Sequence, residues 1–271
     1  MTEAETLPVD AVHEAAVRLS NAAVAGVACA PVRDLIDAGD FDKAYAVQQH
    51  LTRERVAAGA TIIGRKIGLT SPAVQVQLGV DQPDFGVLFD DMLYRNGDTV
   101  PFHVVLQPRV EAEVAFVLGQ DLSDGDLDLD QICEAVDYAV AAIEICGSRI
   151  ADWDISLADT VADNASAGVF VLGAERRVLE DFEPRTVAMT MAVTGQDDST
   201  GTGEACLGDP LIALQWLARQ AHGVGDPLRA GQIVLSGALG PMRPVAPGAV
   251  VSARITGLGD ISVRFSEEQS A

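Results

Sequence analysis

Apolar residues along this chain change their spacing near residue 60. Before that point they recur at helical intervals. Residues 9–27 are rich in alanine with spaced apolar positions, which predicts a first helix. Asp40 is placed to cap a second, running through Ala44, Val47, Gln48 and Leu51 to Gly59. From Thr61 the texture becomes short β-like runs over 61–69, 111–118, 167–172, 187–193, 232–236, 250–255 and 261–265. Gly257-Leu-Gly-Asp260 joins the last two as a hairpin, and Gly201-Thr-Gly203 reads as another hairpin tip. Ser71-Pro72 and Asp209-Pro210 are cap-plus-first-turn signals, the second with Gly223 as its stop, and 130–139 carries a helical period. Strands and helices do not alternate as in a doubly wound sheet. The expectation is an α+β fold rich in antiparallel pairing, with an N-terminal helical region (1–60) followed by a strand-rich region (61–271).

Within the run from Val110 to Leu118 the alternation places Glu111 and Glu113 on one face of a strand. Like charges side by side in a half-buried sheet repel, and burial makes the repulsion worse unless a cation lies between them. Two hard oxygen ligands on one strand suggest Mg²⁺ or Mn²⁺. An exposed strand face with two solvated glutamates is the competing reading. Glu144 stands in the most apolar surroundings of any acid in the chain and is either a third ligand or a partner for Arg149. Three such carboxylates would leave coordination positions open for water and substrate, as metal-assisted catalysis requires.

Charge narrows the partners. Lys and Arg number 18 against 40 Asp and Glu, a formal charge of −22, which opposes binding to nucleic acid. An anionic substrate needs a local positive island, and Arg65-Lys66 is the best placed. No apolar run is long enough for a membrane span, and the acidic start lacks the layout of a signal peptide. Cys29, Cys133, Cys146 and Cys206 are widely spaced and read as reduced thiols. The expected setting is the cytoplasm.

Lys66 sits among apolar residues, either snorkelling to water or functional. Asp84 beside Pro83 is either a turn former or a carboxylate that orients water or pairs with Lys66. The loops holding Ser166 and Ser236 could offer hydroxyls and backbone amides to a substrate carboxylate, though plain turns explain them equally well. The acidic stretch from Asp121 to Asp130 misplaces the glycine and closing glutamate of a calcium loop, so it reads as a solvated turn entering a helix. The four histidines carry no triad or paired spacing, and Trp153 and Trp216 read as core.

Several blocks, in order and with similar spacing from about Ala30 to Phe265, resemble the 2-keto-4-pentenoate (2-hydroxypenta-2,4-dienoate) hydratase family of the fumarylacetoacetate hydrolase superfamily. They are Gly64-Arg-Lys-Ile-Gly-Leu-Thr70, Leu78-Gly-Val-Asp-Gln-Pro-Asp-Phe-Gly86, Leu106-Gln-Pro-Arg-Val-Glu-Ala-Glu113, Gly147-Ser-Arg-Ile150, Val161-Ala-Asp-Asn-Ala-Ser166 and Ser236-Gly-Ala-Leu-Gly-Pro-Met242. The resemblance implies a mixed β-roll or barrel core with the N-terminal helices against it. It implies a divalent metal, Mg²⁺ or Mn²⁺, held by Glu111, Glu113 and Glu144. Lys66 and Asp84 match catalytic positions, and Ser166 and Ser236 fall in substrate-lining blocks. The implied activity is addition of water to a small 2-hydroxydienoate by a homo-oligomer, with a pathway decarboxylase or aldolase as a possible partner. Related 4-oxalocrotonate decarboxylases share the metal-binding blocks, so 2-oxo-acid decarboxylation is the alternative, as is hydration of a longer or carboxylated dienoate.

Overall fold

The computed structural model describes residues 10–71, 75 and 82–267. Helix α1 (Ala11–Ala25) begins where Asp10 accepts a hydrogen bond from the Val12 amide, and it ends at Gly26 in the left-handed conformation. A single turn, α2 (Arg33–Ile36), precedes α3 (Phe41–Ala57), which Asp40 caps by accepting from the Lys43 amide. Ala15, Ala16, Leu19, Ala44 and Val47 pack against Ile150, Leu157, Val161 and Ala162 in a core of their own. The N-terminal helices therefore share that core with the helix Leu157–Ala162. Gln48 fastens the junction: its amide nitrogen donates to the carbonyls of Phe85 and Val161, each at 2.9 Å.

Two sheets make up the rest. The larger runs in the order β2 (Asp84–Phe89), β1 (Ile62–Gly68), β10 (Ile233–Ala238), β5 (Arg109–Leu118), β6 (Val136–Cys146), β7 (Ala167–Leu172) and β3 (Leu93–Arg95), with β11 (Arg243–Pro244) also paired to β5. The smaller runs β4 (Thr99–Val100), β13 (Gly259–Phe265), β12 (Val250–Ile255), β8 (Ala188–Val193) and β9 (Ser199–Thr202). Parallel pairs (β1 with β10, β3 with β7) sit among antiparallel ones, giving the α+β fold with a curled sheet that the sequence implies. One apolar core joins both sheets. β5 and β6 lie at its centre and are buried on both faces, which is why they read as nearly continuous apolar runs. The helix Pro210–Gly223, capped by Asp209, adds Leu211, Leu214 and Leu217 to the same core.

Three local expectations need correction or fall outside view. The helical period over 130–139 stops early: the helix is Leu129–Ala135, and Val136 already belongs to β6. Pairing of Val136, Tyr138 and Ala139 with Leu118, Val117 and Phe116 overrides the local pattern. Gly201 is no hairpin tip but lies inside β9 opposite Met189. Its lack of a side chain answers a close approach, since a Cβ there would collide with the Leu239 carbonyl. The helix expected from Ser71-Pro72 falls mostly outside the described residues. Among the described residues no helix is long and apolar enough to cross a membrane.

Candidate metal centre and active site

Strand register assembles the charged cluster. β5 and β6 pair so that Glu111 faces Glu144, Arg109 faces Cys146 and Glu113 faces Ala142. Cross-strand partners share a face, as do residues two apart along a strand, so Arg109, Glu111, Glu113, Glu144 and Cys146 all project to one side. On the other edge of β5, Ala115 pairs with Leu235 of β10, and Leu235 pairs in turn with Lys66 of β1. Lys66 therefore stands on that same side. β2 then delivers Asp84 opposite Gly68.

Burial is nearly complete. Glu113, Glu144, Lys66 and Asp84 are each 4% exposed or less, while Glu111 is partly open. The Lys66 ammonium lies 3.3 Å from a Glu144 oxygen and donates to the Ala165 carbonyl at 2.9 Å. Glu113 accepts from the Gly237 amide at 2.7 Å through one oxygen. Among the described residues, the other Glu113 oxygen, both Glu144 oxygens and both Asp84 oxygens have no hydrogen-bond donor. Glu144 thus goes to Lys66, and Arg149 pairs instead with the buried Asp163 and donates to Ala167 O at 2.8 Å. Gly68 makes room for Asp84, because a Cβ there would collide with the Asp84 carboxylate.

The carbonyl that meets Lys66 comes from an unusual turn. Asn164, Ala165 and Ser166 all have positive φ, between 51° and 55°. Three consecutive non-glycine residues in that region carry strain that the surroundings must hold. Asn164 does so by accepting from the Val87 amide at 2.7 Å and donating to the Val87 carbonyl at 2.9 Å. Gly86 permits the approach, since a Cβ would strike the Asn164 carbonyl. The turn also buries the Ser166 hydroxyl, which, like that of Ser236, has no partner among the described residues.

Electrostatics follow from this crowding. Burial, then Glu144, push Glu111 up to about 7, with Lys66 opposing. Burial, Glu144 and Glu111 drive Glu113 well above the carboxylate range, against the pull of the Gly237 amide. Burial raises Asp84 to about 6 despite Lys66. For Lys66, burial favours the neutral amine, but the surrounding carboxylates, Glu144 foremost, win and hold it well above the ordinary lysine value. The positive island expected of Arg65-Lys66 is therefore spent inside the protein, Lys66 on this cluster and Arg65 on Asp226.

Buried carboxylate oxygens without donors among the described residues, beside Glu111 and Glu113 raised by burial and by neighbouring carboxylates, are the arrangement a cation would relieve. Hard oxygen donors of this type suit a divalent ion such as Mg²⁺ or Mn²⁺. Donor atoms of Glu111, Glu144 and Cys146 lie within 4.8 Å of one another, and Glu113 stands one pleat further along the same face, outside that group. Sequence reasoning missed Cys146 and Arg109, although the period of two that linked Glu111 to Glu113 reaches both. The Arg109 guanidinium lies 4.3 Å above the Trp153 ring and makes no ion pair among the described residues. Trp153 is thus a platform for Arg109 rather than plain core.

Comparison with known proteins identifies the family and the fold. The family model for the fumarylacetoacetate (FAA) hydrolase C-terminal region matches residues 61–266. A TodF product hydratase of Pseudomonas putida F1 is 51% identical over 267 residues, 98% of this chain and all of that protein. A 2-keto-4-pentenoate hydratase of Paraburkholderia xenovorans LB400 is 49% identical, covering 95% and 96% of the two chains. Among solved structures, 4-oxalocrotonate decarboxylase from Pseudomonas putida G7, complexed with magnesium and adipate, superposes with a TM-score of 0.90 at 32% identity, over 97% of this chain and all of that one. The chain belongs to the fumarylacetoacetate hydrolase family.

Proposed function

We propose that this protein is a divalent-cation-dependent hydratase that adds water to 2-hydroxypenta-2,4-dienoate (2-oxopent-4-enoate) and yields 4-hydroxy-2-oxopentanoate, a step of meta-cleavage breakdown of aromatic compounds. The observation that carries the reading is the buried face where Glu111, Glu113 and Glu144 meet Lys66 and Asp84 with carboxylate oxygens unsatisfied. Identity favours hydration over decarboxylation: 51% and 49% to hydratases against 32% to a decarboxylase of the same fold.

Glu111, Glu113 and Glu144 would hold the ion, Mg²⁺ or Mn²⁺. When bound, it supplies Lewis-acid stabilisation of negative charge on the substrate carboxylate and 2-oxygen. Lys66, protonated and fixed by Glu144 and the Ala165 carbonyl, donates to the 2-oxygen as charge develops there. The 2-hydroxyl proton leaves and C5 gains one, which gives a 2-oxo-3-enoate whose C4 is electrophilic by conjugation. Asp84 takes a proton from the water that adds at C4 and returns one at C3, so the net change is one water gained. The buried hydroxyls of Ser166 and Ser236 orient substrate oxygens. Arg109 offers an unpaired positive charge at the edge of the face, where a chain of charge −22 would otherwise repel a carboxylate.

Chelator-treated enzyme given freshly made dienol tests the reading. Loss of dienol absorbance that returns with Mg²⁺ or Mn²⁺, with 4-hydroxy-2-oxopentanoate formed and no CO₂, is the expected result. Stoichiometric CO₂ from a 2-oxo-dicarboxylate, with the dienol untouched, would make it a decarboxylase.

A further inference from the structure

Cys146 is the one buried thiol on the face that carries the carboxylates. Cys29 and Cys206 each donate to a backbone carbonyl, Arg149 O at 3.3 Å and Ser236 O at 2.7 Å. Cys146 finds no such acceptor among the described residues, although it is only 2% exposed. Its sulfur lies with oxygens of Glu111 and Glu144 inside a 4.8 Å cluster. Both Glu144 oxygens are buried and receive no hydrogen bond among the described residues, with Lys66 3.3 Å from one of them. A deeply buried acid, paired at 3.3 Å with Lys66 but receiving no hydrogen bond from it, thus shares its space with the sulfur.

We infer that Glu111, Glu144 and Cys146 form a second, thiophilic cation site that overlaps the first. It takes a borderline-soft divalent ion such as Zn²⁺, Co²⁺ or Cd²⁺ in place of the hard one. The inference rests on the reading that Glu111 and Glu144 hold a cation. The two donor sets share those carboxylates and differ in the third: an oxygen of Glu113 for the hard ion, the sulfur of Cys146 for the soft one. Ligand softness decides which ion goes where. Two carboxylates and a thiolate supply three donors of a tetrahedral ion and leave the fourth position for water. On binding, the S–H bond breaks, the sulfur keeps the electron pair for the metal bond, and one proton goes to solvent. Because the sites share two ligands, occupation is exclusive. Thiophilic ions inhibit by drawing the cation away from Glu113.

The test compares the wild-type chain with the near-isosteric Cys146→Ser and the apolar control Cys146→Val, all ion-free and reduced, with folding checked by circular dichroism. Mn²⁺ binding followed by electron paramagnetic resonance reads the hard site. Near-ultraviolet thiolate-to-metal absorption on adding Co²⁺ or Cd²⁺ reads the soft one. The expected result is one equivalent of charge-transfer absorption in wild type and none in either variant, with Mn²⁺ affinity kept within about threefold. Competition of Zn²⁺ against Mn²⁺ should weaken about tenfold or more in both variants, equivalent to about 1.4 kcal/mol. Absorption that persists in Cys146→Ser, or is missing from wild type that binds Mn²⁺, overturns this inference alone. Wild type that binds no Mn²⁺ overturns the underlying cation reading with it.

Discussion

Lys66 is a positive charge fixed from two directions, by a carboxylate 3.3 Å away and a carbonyl at 2.9 Å. Removing one partner of a buried ion pair leaves the other uncompensated, which costs about 3–5 kcal/mol. Lys66→Met should therefore lower the melting temperature of the ion-free protein, and Mg²⁺ should restore much of the loss. With the ion supplied, kcat should still fall by about 10²–10⁴. A kcat within twofold of wild type would remove Lys66 from the chemistry. Gly68 offers a subtler probe because a Cβ there strikes Asp84 and lies 3.3 Å from the Lys66 ammonium. Displacing a reacting group by about 1 Å can cost about 10²-fold in rate. Gly68→Ala should show that loss in kcat with an unchanged far-ultraviolet spectrum. A fully active Gly68→Ala would mean that the position of Asp84 does not matter.

At the scale of elements, strand periodicity carries most of the site. The alternation that set Glu111 beside Glu113 in the sequence is the alternation that aligns Arg109 and Cys146 with them in β5 and β6. The helices α1, α3 and Pro210–Gly223 were likewise legible, the first from its alanine-rich apolar spacing and the others because Asp40 and Asp209 announce them locally. What could not be read was set by distant partners. The Lys66–Glu144 pairing needs three successive registers among four neighbouring strands, and β6 takes over a helical pattern only because β5 lies alongside it. The left-handed turn at Asn164–Ser166 was invisible for the same reason: nothing in Asn-Ala-Ser demands positive φ, and Val87 imposes it through the Asn164 side chain. Asn164→Ala removes both of those hydrogen bonds and should cost about 1–3 kcal/mol in denaturant unfolding. The same change should loosen the Ala165 carbonyl and lower kcat more than it raises KM. Unchanged stability would show that the turn holds itself.

For the molecule as a whole, charge couples the site to stability. Burial and mutual repulsion hold Glu111 at about 7 and raise Glu113 well above its ordinary value of 4.5. The folded chain keeps protons that the unfolded chain has released, so the ion-free protein should lose stability as pH rises from about 4.5 through about 7. A divalent ion takes the place of those protons. The gain in melting temperature on saturation with Mg²⁺ or Mn²⁺ should therefore be larger at about pH 8 than at about pH 5.5. An equal gain at both would separate the ion from this cluster. The most direct measurement of the central claim is an anomalous difference map at the manganese edge from crystals grown with Mn²⁺. One strong peak within about 2–2.6 Å of an oxygen from each of Glu111, Glu113 and Glu144 is the predicted result. Carboxylates turned to solvent or satisfied by cationic side chains, with no peak among them, would contradict it.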